Sequence, residues 1–107
     1  MTTNHISIKS VQQMIVTQMR KKPEQTSPVQ AAQYLTSCQH MLEQVEPNSA
    51  NAQRIARLHG LLFVQFANLA VRINNGTVSA MCAMHMKKSA SRASPMVLRQ
   101  FGIHPRP

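Results

Sequence analysis

Apolar residues recur in this chain at helical intervals and almost nowhere at strand intervals. Ile8, Val11, Ile15 and Met19 step by three and four. So do Ala31, Leu35, Cys38, Leu42 and Val45, and again Ile55, Leu58, Leu62, Phe66, Leu69 and Ile73. A strand needs sustained alternation, and His5-Ile6-Ser7-Ile8 is too short to supply it. The pattern predicts an all-α fold of four to five helices.

Punctuation sets the expected boundaries. Ser10 followed by Gln13 reads as a capping box for a first helix over 8–22. Arg20, Lys21 and Lys22 suit its negative C-terminal end, and Pro23 stops it. Ser27-Pro28-Val29-Gln30 is the strongest start signal: an N-cap serine, proline at the first helical position, and glutamine to close the box. It opens a helix over 28–46 whose apolar seam suits lengthwise packing. Glu46-Pro47-Asn48-Ser49 ends that helix and caps the next.

The longest candidate, 49–75, would span about 40 Å at ~1.5 Å per residue. Phe63 and Ala70 widen its apolar face, and Val64 and Val71 lie on the far flank. A helix apolar over most of its circumference belongs at the centre of a core or in a dimer. Gly60 marks a kink or a close approach. Asn74-Asn75-Gly76 is expected to stop this helix through a left-handed C-cap. Thr77 would cap a fourth helix over 78–90, Ser89 to Ala93 reads as a linker, and Ser94-Pro95 starts a short last helix ended by Gly102-Ile103. The expected centre is the antiparallel pair 28–46 and 49–75, with 8–22 and 78–90 packed on it and a basic C-terminal tail. One small helical domain spans 1–107, with 1–6 and 103–107 frayed.

Charge points to the partner. Twelve Lys and Arg face three Glu and no Asp, for a formal net charge of +9 in 107 residues. Glu24, Glu43 and Glu46 fall in one stretch, and nothing after it is acidic. Such a chain attracts polyanions. Arg54, Arg57, Gln65, Asn68 and Arg72 fall within about 80° of one another at ~100° per residue, a stripe broken by Leu61. Lys87, Lys88, Arg92, Arg99 and Arg106 charge the last third. The primary reading is a non-enzymatic small basic regulator or nucleic-acid-binding protein, contacting phosphates through Arg54, Arg57, Arg72, Lys87, Lys88 and Arg92. Tyr34, Phe63, Phe66 and Phe101 are the only aromatic residues, which disfavours base stacking and leaves duplex phosphate binding, which needs no aromatics, open.

The alternative is a helical protein-interaction module, an adaptor, inhibitor or assembly subunit that docks on an acidic protein through Met- and Phe-rich surfaces. Leu61, Phe63, Val64 and Val71 give the long helix more apolar surface than a small monomer needs, which predicts a homodimer interface.

Catalysis is not expected. The chain has no Asp and no glycine-rich phosphate loop. Cys82–His85 and Cys38–His40 are formal nucleophile pairs, but i,i+2 residues do not face each other on a helix and the first pair has no carboxylate to orient it. Met81-Cys82-Ala83-Met84-His85-Met86, with Cys38, His40 and Met41, offers soft donors suited to Cu(I), and convergence would need the second and fourth helices to be adjacent. Methionines at helical spacing more often fill a core or an interface, and zinc-type spacing is absent, so no metal and no cofactor is expected. Two cysteines make no disulfide framework and fit a reducing, cytoplasmic setting. No secretory leader and no membrane span is expected: the most apolar stretch, Leu58 to Val71, is short and holds His59, Gln65 and Asn68.

Overall fold

A computed structural model describes residues 7–100. The expected frayed ends, 1–6 and 103–107, and the expected stop at Gly102-Ile103 lie outside the described residues. The fold is all-α, with five helices: α1 (Ile8–Arg20), α2 (Pro28–Glu43), α3 (Ala52–Arg72), α4 (Gly76–Arg92) and α5 (Pro95–Gln100). A single 3₁₀ turn, Pro23–Gln25, links α1 to α2.

Local chemistry explains the starts. Ser27 Oγ accepts from the Gln30 amide at 3.1 Å, and Gln30 Oε1 accepts from the Ser27 amide at 3.2 Å. The predicted box at α2 is therefore formed, with Pro28 at the first helical position. Ser27→Ala is expected to cost about 1 kcal/mol. Ser10→Ala should be near neutral, because α1 begins at Ile8 behind Ser7 and Ser10 lies exposed within the helix, not at its cap. Urea unfolding of both variants checks this; equal losses would contradict the assignment.

Three other boundaries differ from expectation. α2 stops at Glu43 and α3 starts at Ala52, because Asn48 and Asn51 take the intervening amides. Asn48 Oδ1 accepts from Ala50 and Asn51 N–H at 2.8 and 3.0 Å, and Asn51 Oδ1 accepts from Asn48 N–H at 2.7 Å. The Asn74-Asn75-Gly76 run works as a start signal. Ile73 leaves α3 in an extended conformation, Gly76 opens α4, and the cap is Asn75, whose Oδ1 accepts from Thr77 and Val78 N–H at 3.1 and 3.2 Å. Thr77 is inside the helix. Finally, Ser89 to Arg92 is helix and not linker, because Ser89 is drawn fully into the core.

Side-chain pairs give the topology. Ser79 Oγ donates to the Ala70 carbonyl at 2.6 Å, Phe66 stacks on His85, and His59 Nδ1 meets Ser89 Oγ. Partners climb α4 as they descend α3, so the two helices form an antiparallel hairpin, and theirs is the most extensive helix contact. Gln39 reaches His85 and Glu43 reaches Lys88, so α2 runs parallel to α4 and antiparallel to α3. The expected pair α2–α3 is in contact, but the larger partner of α3 is α4. α1 packs on α2 and α3. The core holds Val11 and Ile15 of α1, Ala31, Leu35, Cys38 and Leu42 of α2, Leu58, Leu62, Phe66 and Leu69 of α3, and Cys82 of α4. α5 packs on α3 and buries Val97 and Leu98.

Candidate nucleic-acid interface

The arginine stripe of α3 lies along its border with α1. Arg54 Nη2 donates to Gln12 Oε1 of α1 at 3.1 Å. Gln12 and Val16 share a shallow depression with Arg54, Arg57 and Leu61. At the other end, Arg72 and Gln65 meet Gln18, Lys21 and Lys22 from the end of α1. A groove edged by two helices therefore carries Arg54 and Arg57 at one end, and Arg72 with Lys21 and Lys22 at the other. The two ends are about 27 Å apart along α3, at ~1.5 Å per residue. Lys21 and Lys22 are the residues that sequence reading assigned only to a helix terminus; the Arg20-Lys21-Lys22 run was the available signal.

Lys87, Lys88 and Arg92 are exposed on α4 and lie apart from that groove. Lys88 is the one cation paired with a carboxylate among the described residues, its Nζ 3.2 Å from Glu43 Oε1. The ammonium is close enough to attract but is not aligned to hydrogen-bond, and Oε1 is otherwise sealed from solvent without a partner. Of the residues expected to form a dimer interface, Leu61 is half-buried against the core, and Phe63 and Val64 are also half-buried; Val71 stands 85% exposed.

Beneath this surface runs a polar chain joining three helices. The His85 carbonyl can only accept, so the Gln39 amide nitrogen must face it, at 2.8 Å. The same nitrogen donates to Ser89 Oγ at 2.6 Å. Gln39 Oε1 then accepts, which places the proton on His85 Nδ1, 2.7 Å away. Ser89 Oγ also meets His59 Nδ1 at 3.3 Å, and the ring tautomer sets which of the two donates. The His59 pKa is pushed down to about 4, by burial first and by the Arg92 charge second, against a smaller upward pull from Glu43, so the ring is neutral at pH 7. His85 moves the same way, through burial and then Lys88, and lies against Phe66 with ring centroids 5.4 Å apart.

This chain resembles a Ser–His pair, but Ser89 is 0% and His59 1% exposed, so a substrate has no approach to the hydroxyl. The soft donors do not converge either, although α2 and α4 are adjacent. Cys38 and Cys82 point into the core, where burial pushes both thiols up, Cys38 to about 11. Met81 and Met84 are exposed, and His40 hydrogen-bonds Gln44 on its own helix. Among the described residues, no three His, Cys, Asp or Glu side chains are placed to hold a metal. Among them, too, no helix is long and apolar enough to cross a membrane.

Comparison with family models, curated proteins and solved structures finds no match to this chain.

Proposed function

We propose that this protein is a non-enzymatic, nucleic-acid-binding regulator that holds phosphates along the α1–α3 groove. Arg54, Arg57 and Arg72 are the primary contacts, with Lys87, Lys88 and Arg92 as a second patch on α4. The observation that carries this reading is the lack of internal neutralisation: among the described residues only Lys88 has a carboxylate partner. Arginines without a carboxylate partner keep their charge available to displace counterions from a phosphate backbone. The two buried free thiols support a reducing, cytoplasmic setting.

The test is binding to random-sequence duplex DNA and RNA across a salt series. Affinity should fall linearly with the logarithm of salt, and an Arg54→Gln, Arg57→Gln, Arg72→Gln triple variant should flatten the slope by about 2.7, from ~0.9 per phosphate contact. Absence of binding at low salt would remove the proposal. The second reading, a module that docks on an acidic protein or a second copy, draws on an apolar depression of ≈ 250 Å³ between α2 and α4, edged by Val29, Val78 and Met81. Binding that survives high salt, or a concentration-dependent dimer lost in Val71→Glu, would favour it.

A further inference from the structure

The ends of α1 and α3 and the start of α2 enclose a pocket of ≈ 120 Å³, room for about four waters at their ~30 Å³ share. Gln18, Lys21, Lys22, Ser27, Gln65 and Arg72 supply its polar lining, and no carboxylate contributes. The Lys21 ammonium is held at the rim, 5.5 Å from the centroid of the Tyr34 ring. Ser27 Oγ spends a lone pair on the Gln30 amide and keeps its hydrogen to donate.

Gln18 is the most telling member. Its side chain is only 7% exposed and has no hydrogen-bond partner among the described residues. Among those residues Glu43 Oε1 is the one sealed side-chain atom without a partner. The polar atoms of Gln18 are therefore not sealed, and the residue lines the pocket. Having no hydrogen bond to another described side chain, the amide can donate to a ligand oxygen in place of water.

Charge sets the ligand. The C-terminal ends of α1 and α3 bring about −0.5 each and the start of α2 about +0.5. Three cationic side chains outweigh these and leave a surplus of about +2.5. A phosphomonoester carries up to about −2 near neutral pH. A diester carries only about −1 and matches this surplus less well.

We infer that this pocket binds a phosphomonoester, with Lys22 and Arg72 pairing to its oxygens and the Gln18 amide donating to it. The inference goes beyond the groove reading and can fail without it, since Arg54 and Arg57 contribute nothing here.

Titration of ¹⁵N-labelled protein at constant ionic strength tests it. Inorganic phosphate and methyl phosphate should move the Gln18 side-chain amide resonances, and dimethyl phosphate should bind at least tenfold more weakly. Lys22→Gln and Arg72→Gln should each weaken methyl phosphate about tenfold, the loss of one charge-assisted contact. Lys9→Gln, at the opposite end of α1 and with the same change in net charge, should leave it unaltered. Both lysines are exposed, so Lys22→Gln decides the matter even if Arg72→Gln disturbs folding. A 5′-phosphorylated oligonucleotide that competes better than its 5′-hydroxyl form identifies a strand end as the source; competition by neither identifies a small phosphate ester. An unmoved Gln18 amide, or equal weakening by Lys9→Gln, would overturn the inference.

Discussion

Acidification from pH 7 to pH 4 is expected to remove about 3 kcal/mol of folding stability through His59 alone. The folded chain holds this ring neutral, with its pKa pushed from the ordinary 6.5 to about 4. The unfolded chain takes up the proton as pH falls through 6.5, while the folded chain resists until about 4. Between those values the unfolded state binds more protons, so stability rises with pH. The contribution is complete above the upper value, declines across the window and levels off below the lower one. His85 is lowered too, so it adds to the loss with the same sign. Urea unfolding at a series of pH values reads the effect directly. His59→Asn should be less stable at neutral pH and should lose most of the slope across this window. A stability flat across the window, or an unchanged slope in the variant, would contradict the neutral, buried ring.

Gln39→Leu is expected to cost about 3 kcal/mol, more than its loss of volume explains. One amide serves three groups: the His85 carbonyl, Ser89 Oγ and His85 Nδ1. The carbonyl keeps its helical partner and Ser89 Oγ keeps His59, but the hydroxyl loses its shorter bond and the half-buried His85 ring nitrogen loses its partner, at ~1 kcal/mol for the lost bond and ~1–3 kcal/mol for the orphan. Leucine is similar in size and apolar, so packing is nearly conserved and the loss isolates the hydrogen bonds. Ser89→Ala alone breaks the same Gln39–Ser89 bond, so the two single losses count that bond twice. The double variant should therefore be more stable than the sum of the single losses predicts, by about 1–2 kcal/mol. A single-variant loss below about 1 kcal/mol, or strict additivity, would show that the chain of bonds does little for the fold.

These effects explain why α4 is longer than its sequence implies. Ser89-Ala90-Ser91 is a weak helical stretch with little apolar drive. Its helicity rests on a partner 50 residues away: Gln39 binds Ser89, and the intervening turn is pinned between α2 and α3. The same distance effect hid the phosphate pocket. Lys21 and Lys22 read naturally as the charged end of α1, and Arg72 as the last residue of a stripe on α3. Only the parallel packing of α1 on α3 places them around one opening. Phe63 and Val64 show the converse. Their excess over a single apolar face implies a partner helix, and packing within the fold leaves both half-buried and, of the expected interface residues, only Val71 widely exposed.

By itself the sequence determined the helices, the faces they bury and the sign of the surface. Spacing, proline position and capping side chains act within a few residues, and the charge imbalance needs no geometry at all. Ser27 with Gln30, and the run from Leu58 to Ile73, behave as their local pattern requires. Tertiary structure alone decided which helices are neighbours and which polar groups meet. Apolar faces are interchangeable, since burial is non-directional and depends on area removed from water. Hydrogen bonds and ion pairs depend on distance and angle, so Gln39 with His85, or Lys22 with Arg72, acquires meaning only once packing has set the register of one helix against another.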